Sequence, residues 1–209
     1  MIELFISAFV TLLVIIDPPG CAPIFASLTK DAEARQRRAM AYRSVLIAAC
    51  ILLFFALLGE EMLKLLGISL AAFRIAGGIM LFLIAIDMVF EKRTERREAR
   101  AEEINATAEI EDVSVFPMAI PMIAGPGSIA SVMLLMARSE GWGEAAVVLG
   151  ALSAVLIVTL ISLLAAGPLL RLLGHKVEAM ITRILGVILA ALAAQFIIDG
   201  IAVSFAIQV

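Results

Sequence analysis

The chain has 209 residues, 63% of them hydrophobic and 17% charged, against about 25% charged in ordinary soluble domains. Its mean hydropathy is +1.08 and its formal net charge is −3. This composition argues against a soluble bundle with solvated helix faces, and the absence of a basic cluster interleaved with aromatics gives no reason to expect nucleic acid.

A bilayer core of about 30 Å needs about 20 apolar helical residues. Six stretches meet that length: 2–29, 43–63, 69–90, 113–137, 145–166 and 180–201. The expected fold is an all-α integral membrane protein with six transmembrane helices, its direct surroundings the lipid bilayer. The first stretch is not expected to be a cleavable signal, because it carries Glu3 and has no Lys or Arg ahead of the apolar run.

That first stretch holds Asp17-Pro18-Pro19-Gly20-Cys21-Ala22-Pro23 in its middle. Pro18, Pro19 and Pro23 each remove a backbone donor and clash with the preceding turn, and Gly20 is a poor helix former. A helix break is expected here, and bare backbone at membrane depth is tolerated only where it is buried in protein or lines a cavity. Stretches two and three are separated by Lys64-Leu65-Leu66-Gly67. The connector 91–112 is basic first (Lys92, Arg93, Arg96, Arg97, Arg100) and then acidic (Glu102, Glu103, Glu109, Glu111, Asp112), and it reads as a solvated linker. Stretch four carries a second break at Ala124-Gly125-Pro126-Gly127-Ser128.

Basic residues concentrate in 30–43, 91–112 and 167–183, which the positive-inside rule places in the cytoplasm. With six spans, both termini are then extracytoplasmic. Re-entrant hairpins at stretches one and four are the competing topology.

The two halves resemble each other. Pro19-Gly20 recurs as Pro126-Gly127 and Lys64-Leu65-Leu66-Gly67 as Arg171-Leu172-Leu173-Gly174, both at an offset of 107; Arg74-Ile75-Ala76-Gly77 recurs as Arg183-Ile184-Leu185-Gly186 at 109. Residues 1–90 and 113–209 therefore read as two three-helix repeats joined by the linker 91–112. Three spans per repeat is odd, so the second repeat is inverted. Helices 1 and 4 would both be broken near mid-membrane, the pattern that points to a transporter binding site.

Each break offers a helix N-terminus, where the dipole favours an anionic group such as a carboxylate. The expected donors lie near Cys21 and Ala22 in the first repeat and at Ser128 and Ile129 in the second. The half-helices are expected to start after Gly20 and after Gly127, with Pro126 part of the second break and Gly20, Gly125 and Gly127 placed at the binding site. Asp17 faces Ala124 in the alignment of repeats. An intramembrane carboxylate costs about 3 kcal/mol and is a functional candidate by default. Asp17 can bind an ammonium, Na⁺ or a proton, or can cap the half-helix after the break. Ser128 and Ser131 share a helical face and can hydrogen-bond a polar solute.

Other polar residues have plainer readings. Arg74 and Arg183 snorkel, share a packing role, or pair with Asp87 or Asp199. Gln195 can bond across helices. Gly186, Ala190 and Ala194 form a small-residue seam, as do Gly150 and Ala154. Cys21 and Cys50 are small apolar-segment thiols, and His175 is the only histidine. Neither a metal site nor a cofactor is expected. The lack of a serine–histidine pair, of HExxH and of any cofactor motif argues against an enzyme.

Asp17-Pro18-Pro19-Gly20 with Pro23 and Phe25, followed by Phe116-Pro117, Ala119, Pro121 and Ala124-Gly125-Pro126-Gly127, resembles the MarC family of bacterial and archaeal inner-membrane proteins, also labelled UPF0056. The resemblance runs over essentially the whole chain. It implies a cell inner membrane location, kinship with LysE-type exporters and transport of small neutral amino acids. The expected activity is secondary transport of a small zwitterion such as glycine or alanine, by alternating access of one repeat against the other. Coupling to H⁺ or Na⁺ and assembly as a homo-oligomer are both compatible with the sequence. The alternatives are a channel or exporter for another small solute, or a non-transporting membrane scaffold.

Overall fold

The computed structural model describes residues 1–90, 92, 96, 99 and 112–205, with the side chains of 168–179 outside that description. The charge asymmetry of the linker, apart from Lys92, Arg96 and Asp112, and the side chains of Arg171, His175 and Lys176 lie outside the described residues. Among the described residues there is no strand. The elements are α1 (Ile2–Ile16), α2 (Pro18–Leu28), α3 (Ala34–Leu65), α4 (Leu70–Val89), a wide-turn segment (Ser114–Ile123), α5 (Pro126–Ala137), α6 (Trp142–Leu164) and α7 (Ala166–Phe205).

Local chemistry sets most boundaries. α3 opens where the Glu33 amide donates to Gln36 Oε1 at 3.3 Å, half of a capping box. It closes in a Schellman turn: Gly67 takes φ +70°, its amide donates to Lys64 O and the Ile68 amide donates to Leu63 O. Ser69 then caps α4, its Oγ accepting from the Ala72 amide at 3.1 Å. At 32 residues α3 is about 48 Å long, more than a bilayer core needs. Its basic first turns, expected as loop, are helix that projects beyond the apolar part. Likewise 167–183, expected as a loop, lies within the 40-residue α7.

Stretch four departs most from expectation. Its first part is no half-helix. Pro117 and Pro121 follow cis bonds, and Phe116 and Ile120 before them are extended, as residues preceding proline prefer. Asp112 anchors the start of this segment: its carboxylate accepts from the Ser114 amide, from the Ser114 hydroxyl and from Arg43 Nη1 at 2.8 Å. Burial works to raise the Asp112 pKa, but the Ser114 bonds and Arg43 outweigh it and hold the carboxyl below its ordinary value.

Five helices are long and apolar enough to cross a membrane, α1 and α2 counting as one stretch of 27 residues; the Ser114–Ile123 and α5 pair, bent by 53°, makes a sixth crossing if taken as one span. Large apolar side chains point outward on them, Leu57 at 56%, Ile161 at 59% and Val187 at 61% exposure. Such surfaces suit lipid, not water.

The helices pack mainly across the two halves of the sequence. α1 and α2 lie on α6 and α7; α3 lies on the wide-turn segment, α5 and α6; α4 lies on α7 and α5. Two apolar clusters result. One joins Leu12, Ile16, Phe25 and Leu52 to Met118, Ile123, Leu152 and Val155. The other joins Leu81, Ala85 and Met88 of α4 to Leu189, Ala193 and Phe196 of α7, with Val14 and Ile15 of α1 and Leu134 of α5.

The α4–α7 pair is the broadest contact, and glycines set it. A Cβ on Gly78 would stand 2.9 Å from Ala193 O, one on Gly186 3.1 Å from Ala85 O, and one on Gly200 2.9 Å from Ala71 O. In each case the two residue numbers add to the same total, the mark of a single antiparallel register. Small residues let membrane helices approach and gain dispersion energy where no hydrophobic force separates helix from lipid. Gly150, expected in a seam of its own, is exposed, and a Cβ on it would meet nothing within 4 Å. Gly78→Ala should therefore cost about 1–3 kcal/mol, as overpacking does, while Gly150→Ala is neutral or gains up to about 1 kcal/mol of helix propensity. Unfolding in mixed detergent micelles with rising SDS compares the two.

Candidate functional site

The first break is a hinge of one residue. Asp17 adopts φ 57°, ψ 63°, a left-handed conformation that Asp tolerates better than most residues. Its amide ends α1 by donating to Leu13 O at 2.9 Å, and its carbonyl starts α2 by accepting from the Cys21 amide at 3.0 Å. Oδ1 accepts from the Gly20 amide at 3.2 Å. In an unbroken helix that amide would go to Ile16 O; here the freed carbonyl accepts from Cys21 Sγ at 3.4 Å. Asp17 is 1% exposed, and Cys21 and Ala22 are fully buried. Glycine at position 20 leaves room for the cap, because a Cβ there would stand 2.2 Å from Asp17 Oδ2 and push the carboxylate aside.

This geometry corrects the expected donor set. α2 begins at Pro18, not after Gly20, with proline at its first two positions and Pro23 inside it. Pro18 and Pro19 have no N–H, the Gly20 amide is held by Asp17, and the Cys21 amide by the Asp17 carbonyl. The start of α2 has spent its first donors within the break, so Cys21 offers no free amide to a solute and Ala22 is core. Asp17 does cap the helix, which was one of its two expected roles.

The second break is arranged differently. Gly125 is the N-cap of α5 with extended backbone, and Pro126 opens the helix, which therefore starts at Pro126 and not after Gly127. The Ala124 amide donates to Ala119 O and the Ile129 amide to Gly125 O, so the expected donor at Ile129 is taken. Among the described residues no backbone acceptor is found for the amides of Gly127 and Ser128, the second and third residues of α5. A Cβ on Gly125 would meet Pro121 O at 2.4 Å, which is the proline-bent segment folding back on the helix start. Ser128 is 3% exposed and Ser131 0%, and Ser131 Oγ is buried without a partner among the described residues.

The two breaks are neighbours in space. A Cβ on Gly127 would lie 3.5 Å from Ile15 Cγ2, two residues before Asp17, and 2.7 Å from Ile84 Cδ1 of α4. The acidic break thus packs beside the break with free amides. An unpartnered buried hydroxyl costs stability, about 1–3 kcal/mol. Ser131→Ala should accordingly stabilise the fold, and if the hydroxyl serves a solute the same change raises the half-saturating solute concentration. Thermal unfolding and concentration-dependent uptake together read the two opposite signs.

Two ionic contacts were not legible in the sequence. Asp199 pairs with Arg138 of α5, not with Arg74 or Arg183, and Asp87 pairs with Arg96 at 2.6 Å. Gln195 bonds Asp199 on its own helix, not across helices. No group of three or more metal-ligating side chains occurs among the described residues.

Long apolar helices with outward-facing aliphatic surfaces, packed by glycine seams around buried backbone breaks, define a polytopic integral membrane protein. The chain belongs to the MarC family of integral membrane proteins, whose family model matches residues 2–205. It is 40% identical over 200 residues to the UPF0056 membrane protein MJ1677 of Methanocaldococcus jannaschii, covering 96% of this chain and 97% of that one. It is 34% identical over 201 residues to the UPF0056 membrane protein YvbG of Bacillus subtilis, covering 96% and 95%. It is 36% identical over 200 residues to the UPF0056 inner membrane protein YhgN of Escherichia coli, covering 94% and 95%. No solved structure matches significantly.

Proposed function

We propose that this protein is a secondary transporter of small zwitterions, glycine- or alanine-like, in the cytoplasmic (inner) membrane. The observation that carries this reading is the pairing of opposite polarities at adjacent breaks. A buried carboxylate sits at Asp17, and free amides at Gly127 and Ser128 with the Ser131 hydroxyl sit on α5. An amino acid carries the complementary charges. Its carboxylate suits the N-terminus of α5, where the helix dipole is positive; its ammonium, or a coupling H⁺ or Na⁺, suits Asp17. The relative's name, inner membrane protein, agrees with the placement.

In this reading α1–α2 and the Ser114–Ala137 pair are broken spans, the two halves form an inverted repeat, and both termini are extracytoplasmic. Packing supports it. Gly78 faces Ala193 O and Ile197, and Gly186 faces Ala85 O and Val89, so the two helices exchange equivalent contacts at an offset close to that of the sequence repeat. The way the halves interlock changes the motion. Because each half packs mainly on the other, the halves cannot rock as bodies without losing nearly every broad interface. The units suggested by the two apolar clusters are the α4–α7 pair and the remaining helices, with the adjacent breaks at their boundary.

Purified protein in proteoliposomes should take up labelled glycine or alanine saturably and show counterflow, with or without an imposed H⁺ or Na⁺ gradient. Absence of uptake of any small amino acid under all gradients refutes the proposal, and non-saturable flux points to a channel.

A further inference from the structure

Three helices converge at the end of the bundle that carries Trp142. Arg138 closes α5, Asp199 lies on α7, and Arg74 lies in the second turn of α4. Arg138 Nη2 donates to Asp199 Oδ2, Gln195 Nε2 donates to Asp199 Oδ1 at 2.7 Å, and the Arg138 guanidinium carbon lies 4.6 Å from the Phe196 ring centroid. Both oxygens of Asp199 are therefore engaged. Arg74 Nε is buried and has no hydrogen-bond partner among the described residues. A Cβ on Gly77 of α4 would lie 3.0 Å from Leu134 Cδ1 of α5, and Arg74 and Arg138 each stand about one turn nearer this end of the bundle, so the two arginines sit at one level. Burial first, and the Arg74 charge second, hold the Arg138 pKa below its ordinary value. Of the other carboxylates at this end, Glu60 and Glu61 hold Lys64, and Glu144 accepts the Glu140 amide. Arg74 also stands near the positive end of the α4 dipole. Within this group two guanidinia meet one carboxylate, an excess of one cationic charge in a half-buried place.

Depth says what meets it. Trp142, one turn's length along the chain from Arg138, is 89% exposed, and exposed tryptophan marks the headgroup level of a membrane protein. The common oxyanion at that level is phosphate, which a planar guanidinium grips through two parallel N–H bonds.

We propose that Arg74 and Arg138 form a phosphate-oxyanion site between α4, α5 and α7, filled by the headgroup of an anionic lipid or by free phosphate. The bound group offsets the excess charge and ties the α4–α7 pair to α5. The site does not depend on the transport reading, since it is read by stability alone.

The test is thermal unfolding of the detergent-solubilised protein while phosphatidylglycerol, or inorganic phosphate without lipid, is titrated in. Phosphatidylglycerol should raise the midpoint saturably. Arg74→Gln should raise the half-saturating lipid concentration about fivefold, the effect of one basic residue at a membrane surface. Arg74→Lys should fall between the two, because it keeps the charge and loses the fork; it carries the test alone if Arg74→Gln does not fold. Arg35→Gln, at the exposed opposite end of the bundle, should follow the parent curve. A rise with inorganic phosphate that Arg74→Gln removes assigns the site to a free anion. A parent protein indifferent to both, or an Arg74 variant that follows the parent curve, overturns the proposal.

Discussion

Asp17→Asn should fold as the parent does and lose most uptake. Asparagine tolerates the left-handed conformation at φ 57°, and its side-chain oxygen can still accept from the Gly20 amide. The backbone bonds to Leu13 and Cys21 are unaffected. What disappears is the negative charge, whose burial at bilayer depth costs about 3 kcal/mol, so stability should hold or rise. Asp17→Ala is the contrasting change. It loses the cap, worth about 0.5–2 kcal/mol, and forces a Cβ residue into left-handed backbone at a further cost of about 1–2 kcal/mol. The pair separates the two roles of this residue: uptake lost in both variants with stability lost only in the alanine one shows that the charge itself works. Full uptake by Asp17→Asn, measured beside its SDS unfolding midpoint, would reduce Asp17 to a cap.

A disulfide between α4 and α5 should arrest transport. A Cβ on Gly77 would lie 3.7 Å from Ala130 Cβ, close to the mean separation in disulfides, about 3.8 Å. The nearest obstacle is Leu134 Cδ1 at 3.0 Å, the mobile end of a side chain. Gly77→Cys with Ala130→Cys, oxidised after purification, joins the α4–α7 pair to the helix that carries Ser128 and Ser131. If those units move against each other, oxidation blocks uptake and dithiothreitol restores it. If the two sequence halves moved as bodies, this bond, which links one half to the other, would also block. The distinction comes from spin-label distances in the reduced parent protein: labels on α4 and α7 should keep their separation when solute is added, while labels on α4 and α6 should not. A cross-linked protein that transports at the parent rate refutes the two-unit motion.

Much of the framework was legible from hydropathy and backbone chemistry, because these depend on residues within a few positions of each other. The length and apolarity of the spans, the interruptions at Pro18-Pro19 and Gly125-Pro126, and the close-packed Gly186 are of this kind. Boundaries were less so. The start of α3 at Ala34 and of α7 at Ala166 extend helix into charged stretches, where polarity marks exposure to water and not loss of helix. The donors expected at the first break are taken for a geometric reason. Placing the helix start after Gly20 left the Cys21 amide free, whereas a left-handed Asp17 lets α2 begin at Pro18 and close on itself.

The sequence by itself determined the solvent of this protein, the number of its apolar stretches and the places where helix cannot continue. Each follows from local composition acting on one segment at a time. Only the tertiary structure decided that the halves interlock, that Asp199 takes Arg138 and not Arg74, and that Gly127 lies beside Ile15. Those depend on which distant surfaces meet, and many apolar helix faces look alike to a one-dimensional pattern. The choice among them rests on where a glycine admits a neighbouring carbonyl, at Gly78, Gly186 and Gly200, and that complementarity exists only between two folded helices.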